Sequence, residues 1–299
     1  MSGIGSRFLG KERPRRVKRA SGYFYILPAI VLIVTFSYMP FIKTLFLSFF
    51  TINANNEIVR FAGLKNYSKV VSDPEFWAAV MNTIRYTVIT VPITLILAYL
   101  MALICKRTRK MSRVYEAMMA LPMAVSMSVA TTIFNLMLNP NIGPINHYFK
   151  LSIGWLTDKN VVIYSLCIIG VWLHVGMAFL FLLSAVRNVP EDLLESARLD
   201  GASGFRQVIS IYIPITSPTL FYLLCTNLAS SMMMSDLVIA LTQGTSSSST
   251  STMIYYMYRK AFYIYNYGTA YASAAMAFLL SFGVILLSFV LERKKVHYT

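Results

Sequence analysis

Charge is scarce in this chain. Only 13% of its 299 residues are Asp, Glu, Lys or Arg, about half the share of a soluble domain, and a soluble enzyme is excluded at the first step. Cysteine and histidine number three each. Cys105, Cys167 and Cys225 lie far apart in apolar surroundings, so no disulfide framework or metal cluster can be built from them, and they read as small apolar residues in or near membrane helices. His147, His174 and His297 offer little material for metal or acid–base chemistry. No G-x-x-x-x-G-K-[ST], H-E-x-x-H, C-x-x-C or G-x-S-x-G run occurs, and the 14 glycines are too dispersed to cradle a phosphate. The sequence therefore implies no cofactor, no metal and no ATPase site of its own.

What is abundant is apolar. Hydrophobic residues make up 57% of the chain and the mean hydropathy is +0.60. The 19 Phe, 19 Tyr and 3 Trp exclude a disordered chain. Six stretches are long enough to cross about 30 Å of hydrocarbon as helix, near Tyr23–Leu47, Thr83–Cys105, Tyr115–Met137, Val161–Val186, Ile213–Ala240 and Ala270–Val290. Pro28, Pro40, Pro92, Pro122, Pro214 and Pro218 fall in them, which a bundle tolerates where neighbours satisfy the freed carbonyls. The first stretch is about ten residues too long for the apolar region of a secretory signal, and no small-x-small site follows it. The expected architecture is an all-α, six-helix domain over residues 23–294, between a basic tail (1–22) and a short C-terminal tail (295–299).

The net charge of +15 is explained by its placement. Eighteen of the 27 cations fall on one side: seven in the N-terminal tail, five from Lys106 to Arg113, three between Arg187 and Arg206, and three at the C-terminus. Cytoplasmic loops are enriched in Lys and Arg, so both termini are expected in the cytosol, facing anionic lipid rather than nucleic acid.

The loop after the fourth stretch is too patterned to be a mere connection. In NVPEDLLESARLDGASGFRQVISIYIP (188–214), Pro190 suits a first helical turn, and Glu191 and Asp192 place negative charge where the helix dipole favours it. Leu193, Leu194, Ala197 and Gly201 form a narrow apolar stripe, Gly201 interrupts the helix, and Ser203 is placed to cap a second one. A helix lying on lipid prefers Lys and Arg on its polar face. Here that face carries Glu191, Asp192, Glu195 and Asp200, and the hairpin reads as a knob offered to another protein.

These residues carry a resemblance. ESARLDGAS, with IYIP beginning ten residues after Gly201, resembles the EAA loop of membrane subunits of bacterial binding-protein-dependent ABC importers. Glu195, Ala197, Asp200, Gly201, Ala202, Phe205 and Pro214 match it, with Ser196 where the motif usually has Ala. YILPAIVLIVTFSYMPFIKTLFLSF, FAGLKNY, DPEFWAAVMNT, SDLVIALT, MIYYMYRKAF and YGTAYASA follow the order of the sugar-transport branch, so that the likeness runs from about Tyr23 to Lys294. The resemblance implies a type I importer permease in the cytoplasmic membrane. Its partners would be a second homologous permease, two ATP-binding subunits that hold ATP and magnesium, and an extracytoplasmic solute-binding protein that delivers a sugar or oligosaccharide. The loop over residues 188–212 would then be the coupling element, with Glu195, Ala197, Leu199, Asp200, Gly201, Ala202 and Phe205 docking on one ATPase.

Polar groups in the apolar stretches point to the solute path. Asp236 would cost about 2.5–3.5 kcal/mol at the centre of a lone helix, so it must face protein or water. With Ser230, Ser231, Ser235 and Asn227 it marks a polar stripe, although a purely structural role near the outer helix end is favoured for Asp236 itself. His174 is a second candidate, weighed against a hydrogen bond to a neighbouring helix. The eight aromatics from Tyr255 to Tyr271 suggest a belt at the outer interface, and QGTSSSSTST (243–252) reads as a flexible outer loop where the family often has Gly-Gly-Pro. Import of a sugar phosphate or another polar solute is the alternative within the family. An ion-coupled secondary transporter would call for charged relays in several stretches or an inverted repeat, and neither is visible.

Overall fold

Apolar runs place helices approximately, and prolines and capping side chains decide where they begin, bend and stop. The computed structural model describes residues 19–107, 110–242 and 249–292. The chain divides into two units, Met1–Phe46 and Leu47–Thr299. In the first, α1 (Arg19–Ile33) leads through a π-helical turn (Val34–Tyr38) into α2 (Met39–Leu47). Pro40 lacks the amide that would bond the carbonyl of Phe36, and the helix widens in the turn just before it. From Tyr25 to Leu47 the run is apolar and long enough to span a bilayer.

The second unit opens with a hairpin of β1 (Phe50–Ile52) and β2 (Ile58–Phe61), antiparallel with Phe50 opposite Phe61. Asn53 shapes its turn by accepting the amides of Asn55 and Glu57. In α3 (Lys65–Val71), Asn66 donates to the carbonyls of Ser48 (2.9 Å) and Phe50 (2.8 Å), which ties helix to hairpin. α4 (Pro74–Ile104) begins nine residues before the expected Thr83. The reason is local: the Asp73 carboxylate accepts the Glu75 amide at 2.9 Å, Pro74 takes the first helical position, and Glu75 meets the dipole.

The expected third crossing is a bent pair. α5 (Lys110–Ala124) and α6 (Met127–Met137) meet at 102°, because Pro122 weakens the end of one and Ser126 caps the start of the other by accepting the Val129 amide. α7 (Pro144–Phe149) precedes α8 (Val162–Arg187), which matches expectation within a residue at each end. Next come α9 (Glu191–Leu199), α10 (Gly204–Gln207), a π-helical turn (Val208–Tyr212) and α11 (Ile213–Met232). The expected fifth crossing overran: α11 ends at Met232, and the apolar residues after it form a break and a separate π-helical turn (Val238–Thr242). α12 (Met253–Phe262) and α13 (Tyr267–Glu292) complete the chain. Among the described residues five helices are long and apolar enough to span, and the bent pair supplies the sixth. The expected tails at residues 1–18 and 295–299 lie outside the described residues, whereas Arg19–Gly22, assigned to the tail, is already α1.

The core is built on α4 packed against α8. Lipid offers helices no hydrophobic driving force toward each other, so close approach must come from small residues. A Cβ on Gly170 would collide with the hydroxyl of Tyr86, and one on Gly176 with the carbonyl of Met119, so these two glycines set how near α4 and α5 lie to α8. Thr83, Thr87, Thr90 and Thr94 are buried along the same helix as Tyr86.

Candidate functional site

The α9–α10 hairpin is closed by its own backbone, by the side chains of Ser203 and Gln207, and by one apolar anchor. Pro190 is extended (ψ 131°) ahead of the helix, and Glu191 and Asp192 fill the first turn. Gly201 at φ +75° lets the chain reverse. The amides of Ala202 and Gly201 then reach back to the carbonyls of Ala197 (2.8 Å) and Arg198 (3.0 Å), the bonding of a Schellman close. Ser203 caps α10 by accepting the Arg206 amide, and Gln207 donates to the Ala202 carbonyl at 3.1 Å. Leu194 is buried among Val186, Val189 and Tyr212 and fixes the hairpin to the body.

Of the expected stripe, Leu194 alone is buried; Leu193 and Gly201 are exposed and Ala197 is half-buried. The stripe anchors through one residue because α9 lies at the edge of the core rather than across it. Ala202 is half-buried, and Glu195 and Asp200 are exposed. Leu199 is 89% exposed and Phe205 76%, and nothing lies within 4 Å of where a Cβ on Gly201 would stand. Two large apolar side chains thus flank a bare backbone turn, with acidic residues beside them.

Of the solute-path candidates the structure gathers His174, Asn227 and Ser230 at one cavity and leaves Ser231, Ser235 and Asp236 outside it. His174 and Asn227 line a cavity of 570 Å³, together with Thr226, Ser230, Phe181 and Tyr222. Asn227 donates to the Leu223 carbonyl at 2.8 Å. Phe181 and Tyr222 form an aromatic pair with centroids 5.7 Å apart. No Asp, Glu, Lys or Arg belongs to the described lining. Ser231 is buried outside that lining. Asp236 lies past the end of α11, exposed, accepting the Ser235 hydroxyl at 3.2 Å. Thr226 and Tyr222, not singled out in the sequence, were legible as cavity residues only by helical register, since positions 222, 223, 226, 227 and 230 share a face and 231 falls on its flank.

A third cluster was not anticipated. It joins the DPEFW and MIYYMYRKAF segments at the N-terminal end of α4. The Tyr256 hydroxyl donates to Asp73 at 2.7 Å, Lys260 donates to the same oxygen at 3.0 Å, and Arg259 pairs with Glu75. Burial pushes the Asp73 carboxyl up, but the hydrogen bonds from Tyr256, Lys260 and the Glu75 amide, with the Lys260 charge, outweigh it and hold Asp73 below its ordinary range. The expected aromatic belt is corrected in part: Tyr255 and Tyr256 are buried in the core, while Phe262, Tyr263 and Tyr265 are exposed. Of the expected flexible loop, residues 243–248 lie outside the described residues. Thr250, Ser251 and Thr252 are buried, with Thr252 donating to the Met234 carbonyl at 2.7 Å.

Residues 92–297 match the binding-protein-dependent transport system inner membrane component family. The chain belongs to this family. It is a multi-pass membrane permease subunit and not an enzyme. Relatives include the sn-glycerol-3-phosphate transport system permease protein UgpA of Brucella suis, 28% identical over 93% of this chain and 96% of the relative. The probable ABC transporter permease protein YurN of Bacillus subtilis is 27% identical over 89% and 94%. The fold is shared with a chain of a bacterial ABC transporter that imports the acidic polysaccharide alginate, with TM-score 0.82, 20% identity, and coverage of 93% and 96%.

Proposed function

We propose that the chain is one membrane half of an ATP-driven importer of sugars or oligosaccharides in a bacterial cytoplasmic membrane, with both termini in the cytosol. It forms the pathway with a second, homologous permease, receives solute from an extracytoplasmic binding protein, and is driven by two ATP-binding subunits that hold ATP and magnesium. The α9–α10 hairpin is the coupling element: Leu199, Gly201 and Phe205 seat in an ATPase groove, with Glu195 and Asp200 at its rim and Ala197 and Ala202 beneath. Closure of the ATPases on ATP then tilts α8 and α11, the helices the hairpin joins, between two packings.

The observation that carries this reading is the bare turn at Gly201 between two exposed apolar side chains. Two exposed apolar side chains beside a turn with no side chain of its own offer a docked partner both apolar contact and close backbone approach. Gly201→Asp tests it. The side chain meets no atom within 4 Å, while its bulk and charge obstruct docking. Because any side chain strains the left-handed turn at φ +75°, Gly201→Ala, which carries the strain without the charge, is the control and should keep most of the uptake. Uptake in proteoliposomes should fall at least tenfold with the membrane subunits still co-purifying, and unchanged uptake would sink the coupling role.

For the solute, the cavity favours an uncharged, hydroxyl-rich molecule. His174, Asn227, Thr226 and Ser230 supply hydrogen-bonding groups, and the Phe181–Tyr222 pair supplies a flat apolar wall for a sugar ring. Phosphate esters form the second reading, favoured by the relatives that carry sn-glycerol-3-phosphate. Against it stands a described lining with no cation to pair with a phosphate. Uptake of a neutral disaccharide that glycerol phosphate fails to inhibit would decide for the first.

A further inference from the structure

Behind the hairpin lies a second cavity, of 540 Å³, whose lining differs from the first in kind. Lys106, Arg107, Arg187 and Arg198 face it, with Glu191 and the ring of Tyr212. Lys106 sits at the end of α4 with its ammonium 4.6 Å from the centre of the Tyr212 ring, so a cation–π contact holds it toward the cavity. Arg187, the last residue of α8, is fixed from two sides: it pairs with Glu116 (2.5 Å) and donates to the Cys105 carbonyl (2.9 Å). Arg107 and Arg198 are exposed.

Four cations therefore converge on one recess against two carboxylates, Glu191 in the lining and Glu116 bound to Arg187. The C-terminal ends of α4 and α8 add partial negative charge near it. Each contributes only about half a charge, and the Arg187 bond to Cys105 meets part of that, so the recess stays positive. Its position is equally telling. Lys106 and Arg107 follow the apolar run Pro74–Ile104 after one residue, Cys105, and Arg187 closes Val162–Arg187, so the recess opens where hydrocarbon gives way to headgroups. A basic pocket between helix ends at that depth has the chemistry to bind an anionic headgroup.

We propose that this recess binds a phosphate-bearing anion, held by Lys106, Arg107 and Arg198 around the fixed Arg187. A membrane phospholipid headgroup and free phosphate share that chemistry. The site rests on the reading of this face as cytosolic but not on coupling, because binding is measured without an ATPase.

The test is native mass spectrometry of the purified full chain titrated separately with phosphatidylglycerol, phosphatidylcholine and inorganic phosphate. Phosphatidylglycerol should be retained over phosphatidylcholine. Its affinity should fall about thirtyfold in the Lys106→Gln, Arg198→Gln double variant, since each cation near the surface is worth about a fivefold factor. Glu191→Gln should tighten binding about fivefold, a gain that a misfolded chain does not give. Arg60→Gln, on the distant β2, should change nothing. Phosphate binding alone, lost in the double variant, would assign the site to the soluble anion. Equal phosphatidylglycerol affinity in wild type and double variant, with no phosphate bound, would overturn the proposal.

Discussion

The two ends of α4 are organised in opposite ways. The helix has 31 residues and spans about 46 Å, and connecting segments gather at each end. At its N-terminal end, polar atoms are spent inside the chain. Asp73 is shared by Tyr256 and Lys260, Asn82 donates to the Ser251 carbonyl, Thr83 accepts the Met253 amide, and Asn66 ties α3 to the hairpin. At its C-terminal end, α9 and α10 are joined to the body chiefly by Leu194, and Glu195, Leu199, Asp200 and Phe205 are left to solvent. A connection that satisfies itself is a fixture. One that closes its backbone and leaves its side chains outward has the form that the proposed coupling role requires.

The largest effect expected from this contrast is at the open end. Leu199→Ala with Phe205→Ala should reduce ATP-driven uptake by at least tenfold and abolish ATPase co-purification while leaving thermal stability unchanged; a drop in melting temperature would show instead that these side chains serve the fold. Leu194→Ala acts on the anchor. Truncating a buried leucine costs about 2–4 kcal/mol, and hydrogen exchange should rise in α9 and α10 while the α4–α8 core stays protected. Uniform exchange across the chain would contradict the picture of a separately anchored hairpin.

At the closed end, Asp73→Asn removes the charge that Lys260 and Tyr256 share, for a loss of about 1–3 kcal/mol with ATPase capture intact. Lost capture would mean that the two ends are not independent. The smallest effect is that of pH. Asp73 is held below its ordinary value, so its contribution is present above the unfolded carboxylate pKa, about 3.9, and is lost as pH falls through the lower folded one. The melting temperature should fall more steeply with acid in wild type than in Asp73→Asn, and parallel curves would remove this group from the account.

Legibility divides along similar lines. Crossings and hairpin are local properties, written in apolar runs, in Pro190, Gly201 and Ser203, and the structure finds both. Where expectation failed, hydropathy had been asked to distinguish two kinds of apolar surroundings. The run after Met232 is apolar because it is buried in protein, so a sliding window could not see α11 end there. The bend at Val125–Ser126 was signalled by Pro122 and a capping serine, but the continuous apolar composition hid it. The early start of α4 was likewise written in Asp73, Pro74 and Glu75. The Asp73–Tyr256–Lys260 cluster joins residues more than 180 apart in sequence, and no periodicity carries that information. Asn227 and His174 were legible as polar residues in apolar helices, but only packing revealed that they share a cavity and that Ser231 and Asp236 do not.

The absence of a side chain at Gly170 has one more consequence. The Tyr86 hydroxyl occupies the space a Cβ would fill, like a dowel in a drilled hole. Neither helix can slip along the other by a turn without withdrawing that ring, in an interior as tightly filled as a crystal. The pair is therefore keyed together as one strut, and the breaks in the neighbouring helices, at residues 125–126 and 233–237, lie outside it.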